Sequence, residues 1–110
     1  MARADSLGQL ERVVLLAVLH CGDDAYGYTV QKQLSAKINR TLALGAIYTT
    51  LERLERKGYV SSRLAEPSPG RGGRPKRLFT VLGSGVRAIN STQDEWLKLA
   101  HGLEGILGTV

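Results

Sequence analysis

The chain has 110 residues, 43% of them apolar and 23% charged, a balance that fits one globular domain and argues against an intrinsically disordered chain. Lys plus Arg total 15 and Asp plus Glu 10, a net charge of +5 that points to an anionic partner. A core of this size leaves little room for an enclosed active site, and the single cysteine, Cys21, permits neither an intrachain disulfide nor a cysteine-based metal site.

The first predicted helix runs from about Leu7 to His20. It is apolar almost all round, which predicts burial on more than one side. Ser6, with Gln9 three residues on, has the spacing of a capping box, and Gly22 is the expected stop. Asp23 and Asp24 are then expected to cap a second helix over Ala25 to Ile38. Its apolar stripe is Val30, Leu34 and Ile38, and Asn39 is placed to close it in a left-handed conformation.

A short connection leads to a third helix over Leu44 to Lys57. Leu44, Ile47, Leu51 and Leu54 form its apolar stripe; Thr49, Thr50, Arg53, Arg56 and Lys57 form the opposite face. Gly58 ends it. The period then changes. Tyr59 to Leu64 reads as one strand, with Tyr59 in the core, and Arg77 to Val81 as a returning one. Between them Glu66 to Pro75 holds all three prolines and three glycines, a loop by composition.

The last helix is expected from Ser84 to Leu107. Ile89, Trp96, Leu103 and Val110 recur every seven residues, with Leu99 and Ile106 at the second heptad position. No other segment is left to cover this stripe, so a second subunit is the natural partner. Gly102, Gly105 and Gly108 each weaken the helix by about 1 kcal/mol relative to Ala, so its end is expected to fray.

The charge is uneven. Residues 1–40 sum to +1, residues 41–80 to +5 and residues 81–110 to −1. Arg63, Arg71, Arg74, Lys76 and Arg77 lie in or beside the hairpin against one acid, Glu66. Three helices followed by a basic hairpin is the order of a winged helix-turn-helix. The expected fold is therefore mainly α with a small β-hairpin. Residues 1–82 form a DNA-binding head in this reading, and residues 83–110 a C-terminal dimerisation helix. Thr49, Thr50 and Arg53 would read bases in the major groove, with Tyr48 on a base or a phosphate. Arg71, Arg74, Lys76 and Arg77 would hold phosphates, contacts that position a protein without specifying sequence. Ile89, Trp96, Leu99, Leu103 and Ile106 would form the dimer interface.

The chain also resembles the PadR-type transcriptional regulators. The matching residues are Tyr26-Gly27-Tyr28 opening the second helix and Gly45-Ala46-Ile47-Tyr48 opening the third. They continue through Leu51, Leu54 and Lys57-Gly58-Tyr59-Val60 to Gly73-Arg74-Pro75-Lys76-Arg77 and Thr80-Val81-Leu82-Gly83. The likeness covers roughly Leu7 to Ile89. It implies a homodimeric DNA-binding repressor whose last helix is the dimer arm, in the short branch of the family. It also puts a small aromatic effector near Trp96, which otherwise reads as a packing anchor. Tyr28 is counted among the DNA contacts, with half-buried packing as its competing role. Ala43 and Leu44 stand where the family usually has Ser and Pro, Ala46 where a small hydroxyl residue is common, and Thr49 where Pro often follows the tyrosine. No target sequence is therefore carried over.

Three alternatives stay open. A winged-helix module could meet an acidic protein through the same surface. A MarR- or ArsR-like regulator would keep the DNA and change the family. An enzyme finds no support: His20 and Cys21 are adjacent and point about 100° apart on a helix, and no third group orients them. No cofactor is expected. The lone thiol fits the cytoplasm. The longest apolar run, Val13 to Leu19, falls well short of the roughly 20 residues that span a bilayer, and no secretory signal pattern precedes it.

Overall fold

The computed structural model describes residues 7–66 and 75–108. Helix α1 spans Gln9–Cys21, α2 Gly27–Ile38 and α3 Leu44–Arg56. Strands β1 (Val60–Leu64) and β2 (Arg77–Val81) pair antiparallel, with Val60 opposite Val81 and Leu64 opposite Arg77. Helix α4 (Gly83–Ala100) and a single turn, α5 (Glu104–Leu107), complete the chain. The expected order of three helices, hairpin and terminal helix is the observed one.

The core lies where α1, α2 and α3 meet beneath the hairpin. Val14, Leu15, Val18, Val30, Ile47, Leu51, Leu54 and Phe79 are among its fully enclosed residues, and Tyr59 packs with them as expected. The hairpin is fastened from two sides. Phe79 N–H donates to Ala25 C=O at 2.8 Å, and Tyr59 N–H donates to Leu54 C=O at 3.0 Å. The wing therefore cannot swing free of α2 and α3.

Four local expectations need correction. Ser6 lies outside the described residues; the N-cap of α1 is Gly8, whose N–H donates to the Glu11 carboxylate at 2.8 Å. Asp23 and Asp24 do not cap α2. They sit in a 3-10 turn (Gly22–Asp24), and the N-cap is Tyr26, whose N–H donates to Thr29 Oγ1 at 2.9 Å. The apolar faces are less covered than their periodicity implies. Leu16 and Leu19 of α1, Ile38 of α2 and Leu44 of α3 are exposed, because three short helices cannot enclose one another on every side. Finally, the terminal helix is not continuous. His101 leaves helical geometry and Gly102 takes a φ of +89°, so α4 stops at Ala100 and only one turn follows. The left-handed Asn39 (φ +54°) and the stop at Gly22 are as expected.

One buried charge ties α1 to α3. Lys57 Nζ lies 2.8 Å from Glu11 Oε1, and the Glu11 side chain is only 4% exposed. Its second oxygen, Oε2, is buried without a hydrogen-bond partner among the described residues. Burial alone pushes the Glu11 carboxyl up. The Lys57 hydrogen bond, the Gly8 N–H and the Lys57 and Arg53 charges outweigh it and hold the carboxyl below its ordinary range. Lys57→Met should lower unfolding stability near pH 7 by about 1–3 kcal/mol, the cost of stranding a buried charged acceptor. The urea midpoint measures this. Because the folded-state pKa is depressed, the bridge contributes fully above the carboxylate range and is lost as pH falls through it. The gap between wild type and variant should therefore close in acid.

Candidate nucleic-acid interface

The candidate surface is built on the seam between α2 and α3. Tyr48, in the first half of α3, lays its ring over the start of α2, and its hydroxyl accepts a hydrogen bond from Gly27 N–H at 3.2 Å. A Cβ on residue 27 would fall 2.5 Å from Tyr48 Cζ, so only glycine admits the ring. This contact fixes how far apart the two helices lie. It is also why Tyr48 is half-buried.

With Tyr48 turned inward, Thr49 and Arg53 are exposed one helical turn apart, on one face of α3. Glu52 and Ala46 are exposed beside them. Thr50 departs from expectation. It is only 1% exposed, and its hydroxyl donates to Ala46 C=O at 2.8 Å, the usual back-bond of a threonine inside a helix. It belongs to the core side of α3 and cannot reach a base. A run of three polar residues cannot all share one face of a helix; the neighbours Ile47, Leu51 and Leu54 decide which one turns in.

The cations near the wing are partly engaged. Lys76 Nζ sits 4.4 Å above the centre of the Tyr26 ring and 3.9 Å from Asp24 Oδ1. The first contact is a cation–π pair joining the root of β2 to the N-cap of α2. Arg77 Nη1 donates to Ser62 Oγ at 2.9 Å, and Ser62 Oγ donates to Glu55 Oε2 at 2.8 Å, a relay from the wing to the end of α3. Arg77 remains exposed. Tyr28 is exposed on α2, and Lys32, one turn on, lies 5.4 Å from its ring centre. Arg71 and Arg74 lie outside the described residues.

Sequence reasoning missed Tyr26 and Gly27 as structural parts of the surface. The Tyr28–Lys32 pair was available from its i, i+4 spacing. The Gly27–Tyr48 seat was not, since its members are 21 positions apart. Cys21 is half-buried. Burial pushes its thiol up against an opposing hydrogen bond with Thr29, which disfavours the nucleophilic thiolate.

The sequence profile of the Transcriptional regulator PadR-like family matches residues 15–91, from the middle of α1 into α4. The chain belongs to this family. It is a winged-helix transcriptional regulator rather than an enzyme. Among solved structures, a PadR-like transcription factor from Bacteroides fragilis superposes with a TM-score of 0.74 at 23% identity, covering 90% of either chain. A PadR family transcriptional regulator from Eggerthella lenta DSM 2243 gives 0.66 at 25% identity, over 93% of this chain and 88% of that one. Bacillus subtilis PadR, solved in complex with operator DNA, gives 0.63 at 17% identity, over 77% of this chain and 47% of that one. No curated protein sequence is significantly similar. No helix among the described residues is long and apolar enough to cross a membrane.

The Gly27–Tyr48 seat gives a direct test. Gly27→Ala should destabilise the PadR-like head by about 1–3 kcal/mol through overpacking. The same substitution in a Tyr48→Leu background should cost much less, because the ring that it meets is gone. Denaturant melts of the four proteins in the cycle measure the coupling.

Proposed function

We propose that this PadR-like protein is a sequence-specific operator-binding regulator, acting as a repressor and as a homodimer in the cytoplasm. Residues 1–82 serve as the head and residues 83–110 as the dimerisation arm. The observation that carries the reading is the shared outward face of Thr49 and Arg53 on α3, with the exposed Arg77 of the wing tied through Ser62 to Glu55 of the same helix. Arg53 is suited to a guanine edge and Thr49 to a thymine methyl. Arg71, Arg74, Lys76 and Arg77 hold backbone phosphates. The Tyr48 hydroxyl accepts from Gly27 and keeps its own proton for a phosphate oxygen, and Tyr28 with Lys32 flanks the same strand. That a structural relative was solved on operator DNA supports a duplex partner over an acidic protein.

Much of the arm's apolar surface is uncovered, while Ile89 near its root packs partly against the core. Trp96, Leu97, Leu99, Leu103, Ile106 and Leu107 are all exposed, and clustered exposed apolar groups of this kind mark interaction surfaces. The dimer contact is proposed to run along Ile89, Trp96 and Leu99 of α4 and to continue through Leu103 and Ile106 beyond the break.

Two substitutions separate the roles. Arg53→Ala should relax base preference at one operator position, by about 1–3 kcal/mol, and leave random duplex nearly unaffected. Arg74→Ala should weaken all duplexes alike and reduce the salt slope by about 1. Gel shifts with the protein's own upstream DNA and with random duplex, over a range of salt, measure both. Equal losses on the two duplexes for Arg53→Ala would remove it from base reading. Trp96 also offers an indole face to a small aromatic effector. Titration with planar aromatic compounds should quench Trp96 fluorescence, and no quenching across a broad panel would remove that role.

A further inference from the structure

The buried residues of α3 are Ile47, Thr50, Leu51 and Leu54. At about 100° of turn per residue, the pole opposite their mean direction runs along Gly45, Thr49, Glu52 and Arg56. All of these are exposed, at spacings of four, three and four. Glu52 stands about 30° from that pole, and Arg53 about 70° from it on the other side. A helix entering a groove with this pole foremost presents Glu52 ahead of Arg53. The first turn does not hold the helix off, since Gly45 carries no side chain and Ala46 only a methyl group.

The Glu52 carboxylate is not neutralised within the protein. Of the two acids of α3, Glu55 accepts a hydrogen bond from Ser62 Oγ at 2.8 Å. Glu52 forms no ion pair among the described residues. An i, i+4 pair with Arg56 is the usual way for a helix to offset such a charge. Here Arg56 is exposed and that pair is not made. Residues 41–80 carry a net +5, so an unpaired acid stands at the centre of the most cationic part of the chain. Against a phosphate backbone alone it costs affinity.

The cost is offset where the carboxylate meets an amino group. In the major groove the amino donors are cytosine N4 and adenine N6. Adenine sets its N7 acceptor beside the amino group, guanine offers N7 and O6, and thymine offers O4. Each of those acceptors repels a carboxylate. Cytosine alone presents a donor with no acceptor beside it on the same base.

We infer that Glu52 is a specificity-determining residue that accepts a hydrogen bond from cytosine N4 at one base pair of each half-site. The inference rests on the operator-binding reading above and deepens it. The carboxylate attracts cytosine and repels the other base edges and the phosphates. It therefore works by rejection as much as by recognition, raising the ratio of specific to non-specific binding while it lowers the non-specific part. Arg53, on the far side of the pole, is left to meet a different base pair.

Base-by-base competition tests this on the full chain. The site protected in a footprint of the protein's own upstream DNA is substituted one base pair at a time. Binding is measured for wild type, Glu52→Gln and Glu52→Ala. The side chain is exposed and Gln and Ala are good helix formers, so far-UV circular dichroism should match wild type. Wild type should prefer cytosine at one position by about tenfold. Glu52→Gln should move that preference to adenine, whose N6 and N7 suit an amide, and Glu52→Ala should flatten it. Both variants should bind random duplex more tightly than wild type. The same base profile in all three proteins overturns the inference and leaves operator binding standing, whatever happens to overall affinity. A preference that depends on Glu52 but falls on a base other than cytosine overturns it as well. A wild type with no base preference at any position overturns the operator-binding reading and this inference together.

Discussion

Tyr48 occupies the space that a side chain at position 27 would need, and the orientation of the reading surface follows from that seat. An α2–α3 pair held apart by even one methyl group would change their crossing. With the ring against the glycine backbone, Ile47, Leu51 and Leu54 are driven into the core and Thr49 and Arg53 are turned to solvent. The helix period then decides the rest. The hydrogen bond between Gly27 N–H and the Tyr48 hydroxyl adds a modest term; the larger effect is geometric, because the close approach tolerates one residue type only.

The positive charge of the chain is not all surface field. Lys57 neutralises a buried carboxylate that joins α1 to α3. Lys76 rests on Tyr26 near Asp24, and Arg77 is linked through Ser62 to Glu55. Each of these cations spends part of its interaction inside the protein and holds two elements in register. An exposed cation held by a neighbour loses less side-chain entropy when it meets an anion than one that is free. The internal pairs therefore lower the cost of an external contact.

The sequence alone carried the element order, because the hydrophobic period switches from helical to alternating at Tyr59 and the loop composition between the strands is unmistakable. It carried the pairing of β1 with β2 and the left-handed stop at Asn39. It misplaced features that depend on neighbours distant in the chain. Asp24 has the chemistry of a cap, but the 3-10 turn passes that role to Tyr26 and Thr29. Thr50 has the chemistry of a reader, but its position relative to the core turns it in. Leu16 and Ile38 satisfy the apolar stripe, yet no element among the described residues fully covers them. The heptad spacing through Leu103 is real in the sequence, while the φ of +89° at Gly102 interrupts the helix that would have displayed it. Periodicity reports which faces are apolar; it does not report what is available to cover them.

The root of α4 has a further consequence. A Cβ on Gly85 would fall 2.5 Å from Tyr59 C=O and 2.9 Å from Val81 Cγ1, so the helix leaves the head in direct backbone contact. A tilt of only five degrees at such a pivot displaces a point about 27 Å away by about 2 Å. Residues 58, 59 and 85 touch neither the outward face of α3 nor the exposed tip, yet they govern the angle between them. In a two-chain assembly this would make the pivot an evolutionary dial: one added methyl group there would retune the distance between paired heads while the outward face of α3 stays the same.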